Sequence, residues 1–183
     1  KAERVAAFRL LDVTPGAAPF ARRLDSPLVG RDEELGRLLR TLDETVTDRT
    51  CRLVTVVGDA GLGKTRLVSE LLDREAQRVR ILWARCLPYG EGITFWPVAE
   101  MVKAAAGIGE TDSPEAARSK LGDLVAAAEE GAEVAERVAS AIGLGEGGGD
   151  LQETFWAIRR LLEILALETP LVVVVEDIHW AEP

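Results

Sequence analysis

The chain has 183 residues, 47% of them apolar, which is enough for one sizeable core and too little for two full domains. Acidic residues outnumber basic ones 31 to 22, for a net charge of -9, which argues against a broad nucleic-acid-binding or membrane-binding surface. A local anion site stays open, because backbone amides and one lysine suffice to build it. No apolar run approaches the ~20 residues that cross a bilayer and no signal peptide opens the sequence, so a cytoplasmic protein is expected.

Residues 1–13, KAERVAAFRLLDV, are amphiphilic, and residues 14–27 begin with a Pro/Gly/Ala stretch of linker composition. In SPLVGRDEELGRLLRTL, Asp32 is the expected N-cap of a helix whose apolar face is Leu35, Leu38, Leu39, Leu42 and Val46. CRLVTVV, residues 51–57, is β-branched and bounded by charge and glycine, so a buried strand is expected. After a glycine-rich loop, KTRLVSELLDREAQ carries an apolar stripe of Leu67, Val68, Leu71 and Leu72, and VRILWARC reads as a second strand. Strand, loop, helix and strand make a βαβ unit and hence a parallel α/β sheet. Cys51 and Cys86 lie in the two strand-like runs and are expected to be buried, reduced thiols.

Residues 96–145 are rich in alanine and charge, so they should be helical, with breaks near residues 107–114 and at Gly131. Residues 146–149 are glycine-rich and read as a loop. LQETFWAIRRLLEILAL then places Leu151, Phe155, Ile158, Leu162 and Leu165 on one helical face, and Thr169-Pro170 ends the helix. LVVVVED reads as a strand buried on both faces that ends in two carboxylates. Lys1 is not an initiator methionine, and the sequence stops soon after this strand, so a piece of a longer protein is expected.

Two motifs carry chemistry. Gly58, Asp59, Ala60, Gly61, Leu62, Gly63, Lys64 and Thr65 match G-x-x-x-x-G-K-[ST]. Glycines let the backbone fold so that successive N–H groups converge on phosphate oxygens, and the helix starting near Lys64 adds its positive dipole end. Lys64 is expected to reach the β- and γ-phosphates and the Thr65 hydroxyl to ligate Mg²⁺. The second motif is the acid pair after four valines. Glu176 lies where an acid can face Mg²⁺, and Asp177 is placed to orient an attacking water. Glutamate reaches one methylene further than the commoner aspartate, so coordination through water is an option. His179 reads either as a structural residue or as a contact on the γ-phosphate side.

With VGRDEEL (29–35), GDAGLGKTRLVSEL (58–71), RCLPYGEGITFWPVAEMV (85–102) and VVVVEDIHWAEP (172–183) in this order, the chain from residue 28 onward resembles the P-loop ATPase module of AAA-like, STAND-group signalling ATPases. The version it is most similar to occurs in large bacterial regulators, both LuxR-type activators and adenylate/guanylate cyclase fusions. The resemblance implies a P-loop NTPase α/β fold with a helical insertion, cut after the second acidic motif, over residues 28–183. It implies that Val29, Gly30 and Arg31 sit near adenine and ribose, and that ATP rather than GTP is bound. Residues 1–13 are similar to the end of a nucleotidyl cyclase domain, whose metal-binding aspartates would lie upstream, so this segment makes no cyclic nucleotide.

The function expected is an ATP·Mg²⁺-binding regulatory switch with slow hydrolysis. The alternatives are a turnover ATPase coupled to remodelling, or a non-catalytic interaction domain. Expected partners are ATP, other domains of the same chain and, as one option, a nucleotide-dependent homo-oligomer.

Overall fold

The computed structural model describes residues 27–87, 95–145 and 150–181. The expected cyclase-like tail (1–13), the expected linker up to residue 26, residues 88–94 of the CLPYGEGITFWP segment, the expected loop at 146–149 and residues 182–183 lie outside the described residues.

The first element is α1 (Asp32–Asp48), with Arg31 rather than Asp32 at the cap position. It is followed by α2 (Lys64–Glu75) and the short strand β1 (Arg80–Arg85). Helices α3 (Trp96–Ala106), α4 (Pro114–Val125), α5 (Gly131–Ala141) and α6 (Leu151–Glu168) then lead to β2 (Leu171–Glu176) and a 3₁₀ turn, Ile178–Trp180. The helix breaks fall at residues 107–113, as expected, and at 126–130, just before Gly131, which opens α5 instead of breaking the chain. Ser113 caps α4 by accepting the Ala116 N–H at 3.2 Å. Gly107 ends α3 in the left-handed region, at φ +63°.

β1 and β2 run parallel, with Leu82 opposite Val173 and Arg85 opposite Glu176. Helices α3 to α6 cross over between them. Their shared core is built from Leu82, Met101, Leu121, Val134, Val138 and Leu161, among others. Gly131 is fixed by packing, because a Cβ there would stand 2.0 Å from the Val125 carbonyl oxygen. A second, smaller cluster joins α1 to α2 through Leu35, Leu67 and Leu71, with Leu38, Leu39 and Leu42 partly buried against it.

Four expectations are corrected. Residues 51–57 form no strand, and Leu53 and Val57 are 93% and 86% exposed. A strand is stable only against a neighbour that takes its hydrogen bonds, and among the described residues none pairs with this segment; Val56 alone packs, against the α1–α2 cluster. Cys51 is consequently exposed, whereas Cys86 is buried as expected. In β2, Val173 and Val175 remain 37% and 41% exposed, so this strand is not buried on both faces. Their register partners Leu82 and Ala84 are buried, since α3 covers β1 and no described element covers the far side of β2 to the same extent. The buried face of α6 is Thr154, Ala157, Leu161, Ile164 and Leu165, rotated from the stripe read in sequence. Leu151 is half exposed, and Phe155 turns outward to meet the Phe95 ring edge-on at 6.1 Å. Both faces of α6 are apolar, so periodicity alone does not select between them.

Candidate functional site

The glycine loop, residues 58–63, leaves the extended segment and enters α2. Gly61 and Gly63 have φ of +83° and +78°, a backbone that L side chains rarely adopt. Nothing lies within 4 Å of where a Cβ would stand at either position, so their glycines serve conformation and leave open space beside the loop. Leu62 N–H donates to the Asp59 carbonyl at 3.4 Å. The Lys64 ammonium donates to the carbonyls of Gly58 (2.8 Å) and Asp59 (3.0 Å), folding over its own loop.

The two N-terminal helices begin differently. α1 has Asp32, Glu33 and Glu34 in its first turn, whose charges offset its positive dipole end. α2 starts at Gly63 with no side-chain cap and no acid in its first turn. No acid in its own first turn offsets its positive dipole end, the arrangement that glycine loops use for phosphate. Arg31 ties the two helix starts together. Its Nη1 donates to Glu34 Oε1 at 2.8 Å and its Nη2 to the Leu62 carbonyl at 3.3 Å. Of the expected adenine contacts, Arg31 thus reaches the loop, Gly30 turns the chain before it at φ +70°, and Val29 is 80% exposed.

The acidic end of the site is set by the β1–β2 register. Arg85 and Glu176 are the last residues of their strands and stand opposite each other, and Cys86 N–H donates to the Glu176 carbonyl at 3.0 Å. The Thr65 hydroxyl donates to Glu176 Oε1 at 2.6 Å, a contact between residues 111 apart in sequence. The other carboxylate oxygen, Oε2, accepts from Arg85 Nε at 3.2 Å and, more closely, from Arg85 Nη2. Arg85 Nε also lies 3.5 Å from Asp177 Oδ2. The hydrogen bonds that Arg85 donates to Glu176, with the charges of Glu176 and Asp177, hold its guanidinium above its ordinary pKa against the opposing effect of burial. Burial first, then the Asp177 charge, pushes the Cys86 thiol up.

Asp177 has φ +56° and ψ +38°, the left-handed region that aspartate tolerates better than most residues. Its carbonyl accepts from Trp180 N–H at 2.9 Å, starting the 3₁₀ turn. His179 lies in that exposed turn with its ring 5.0 Å from the Trp180 ring, tilted by 44°.

The structure thus joins Thr65 in the first turn of α2 to Glu176 of β2, and Glu176 to Asp177 through Arg85. Arg85 is the residue that sequence reasoning passed over. The signal was a charged residue closing an apolar strand at the same end as the acids of its neighbour. Thr65 and Glu176 offer hard oxygen donors, the chemistry Mg²⁺ requires, and Mg²⁺ is commonly held by one or two protein oxygens with phosphates and water completing the shell. Among the described residues no group of three or more His, Cys, Asp or Glu is arranged to hold a metal ion. No helix among them is long and apolar enough to cross a membrane.

An uncharacterised protein of Rhizobium meliloti (strain 1021) is 32% identical over 182 residues, an alignment covering 88% of this chain and 16% of that protein. The chain therefore spans about a sixth of the length of that relative. No solved structure matches. Residues 27–183 match the AAA ATPase domain. The glycine loop, its helix and the acid-tipped parallel strand sit within that match, and the chain belongs to the AAA ATPase domain family, an α/β P-loop NTPase family whose members generally bind ATP with Mg²⁺.

Proposed function

We propose that residues 28–183 form an ATP- and Mg²⁺-binding regulatory module that acts as a switch and hydrolyses ATP slowly. The observation that carries this reading is the 2.6 Å hydrogen bond from Thr65 to Glu176, which brings the two chemical motifs into one site. The Thr65 hydroxyl donates to the carboxylate, so two hard oxygens stand side by side at the end of the glycine loop. Residues 58–63 and the start of α2 would hold phosphates, with Lys64 released from its own loop carbonyls to pair with them. Thr65 and Glu176 would hold the magnesium, Asp177 would orient water, and Val29, Gly30 and Arg31 would border the base and ribose. Bound ATP·Mg²⁺ supplies a γ-phosphoryl group whose presence or loss can separate two states of the protein.

The finer reading places the module in a longer STAND-type signalling chain of the LuxR or cyclase-fusion kind. Residues 1–13 would be the tail of a preceding domain and 14–27 a linker. What supports it is the order of the four sequence motifs and the much greater length of the Rhizobium meliloti relative.

The test is calorimetric binding of ATP and GTP with Mg²⁺ to the full chain and to Lys64→Ala, with phosphate release followed in the same samples. ATP-selective binding, lost in Lys64→Ala, is expected, with release slower than about one per minute against the ~10 s⁻¹ median of enzymes. Rapid release that disappears in Asp177→Ala would replace the switch with a turnover ATPase. No binding of either nucleotide would leave an interaction domain.

A further inference from the structure

The pairing of Arg85 with both acids is not explained by the packing of the sheet. Arg85 stands at the mouth of the site, and the β1–β2 ladder fixes its backbone opposite Glu176. Its guanidinium spans Glu176 Oε2 and Asp177 Oδ2, while Glu176 Oε1 is held by Thr65. The Glu176 side chain is only 11% exposed, so this is not a loose surface ion pair of the kind that contributes little. Two neighbouring carboxylates at the end of a strand repel each other and attract any cation. Here a cation that belongs to the protein already lies between them.

We propose that Arg85 is a positioning residue that makes metal binding conditional on nucleotide. It cancels one of the two negative charges of Glu176 and Asp177 while holding Glu176 by one oxygen, so that a free divalent cation finds too little net negative charge to bind. A cation arriving with a triphosphate brings its own anionic oxygens and needs only Thr65 and Glu176 Oε1. The inference rests on the reading of Thr65 and Glu176 as the metal-binding pair, and it adds a role for a residue outside that pair.

Like-sign repulsion between a unit charge and a divalent ion at contact range in a partly buried site is large. Removing it should therefore raise affinity for the free ion by at least about tenfold. Positioning of Glu176 would loosen at the same time, an effect of opposite sign and smaller size, since Thr65 still holds the other oxygen.

The experiment measures Mn²⁺ binding to the full chain by loss of the free-ion electron paramagnetic resonance signal, with and without ATP. It compares wild type, Arg85→Met, Arg85→Gln, Arg85→Lys and Arg85→Met/Glu176→Gln. Wild type and Arg85→Lys should take up Mn²⁺ only with ATP. Arg85→Met should bind Mn²⁺ alone, at least about tenfold more tightly than wild type, and lose that binding when Glu176→Gln is added. Arg85→Gln serves the same purpose should the methionine variant not fold, and circular dichroism of each sample identifies that case.

Tight Mn²⁺ binding by wild type without nucleotide overturns the proposal. So does an uncharged variant that gains no metal affinity while wild type still binds Mn²⁺ with ATP, and in that case the ATP-binding reading stands. Wild type that binds neither ATP nor Mn²⁺ with ATP overturns both.

Discussion

The half of the molecule built from α3 to α6 with β1 and β2 and the half built from α1, residues 51–57 and α2 differ in how they are held. The first buries Leu121, Val134, Val138 and Ala157 to 0% exposure within one continuous core. The second rests on three buried leucines and leaves an apolar extended segment in solvent. Yet the proposed site takes its phosphate loop from the weak half and its acid from the strong one, joined at Thr65 and Glu176. The division of labour suits a module that must respond: one half supplies a fixed acid, and the other a loop free to settle around a ligand.

Core truncation should show the largest effect and the clearest contrast. Leu161→Ala in α6 should lower unfolding free energy by about 4 kcal/mol, and Leu67→Ala in the small cluster by about 2 kcal/mol, because the looser site can collapse around its cavity. Equal losses in urea titrations would end the comparison. Gly131→Val pushes a side chain against the Val125 carbonyl and should cost about 3 kcal/mol in the same assay.

Next in size is the contrast between the strands. Amide exchange should be slow for β1 and β2, which pair through a ladder, and near the unprotected rate through residues 51–57. Thiol labelling sharpens the same point. Exposed Cys51 should react with a maleimide at least about tenfold faster than Cys86, which is buried with its thiol pKa raised. Protection of Cys51 would show that another strand has covered the segment.

The smallest effect concerns the turn between α3 and α4. There Lys120 bonds Asp112 at 2.6 Å, and this, with the Gly109 N–H, holds the Asp112 carboxyl below its ordinary pKa of 3.8. A carboxyl depressed by folding adds stability that is complete above about pH 4 and is lost as pH falls through its lowered folded value. Asp112→Asn should remove that slope from an acid titration of stability and leave neutral-pH nucleotide binding unchanged.

The sequence revealed the glycine loop more fully than the sheet. The G-x-x-x-x-G-K-[ST] spacing located the loop and the first residue of α2, because conformation at Gly61 and Gly63 and the helix start are local properties. The helices between residues 96 and 168 were legible for the same reason. What escaped was non-local. Residues 51–57 have the composition of a strand, but a strand exists only with a neighbour, and composition does not supply one. Arg85 escaped because its meaning lies in a register between residues 91 apart. The face of α6 escaped because the helix is apolar on more than one side.

That register has a further consequence. The position of Glu176 relative to Arg85 is set by six paired residues on each strand and not by the length of chain between them. The loops within residues 86–170 can therefore lengthen or shorten while the acid stays in place, provided the core of α3 to α6 that backs the strands is kept, as a tape measure may be recoiled without moving its two clamped ends.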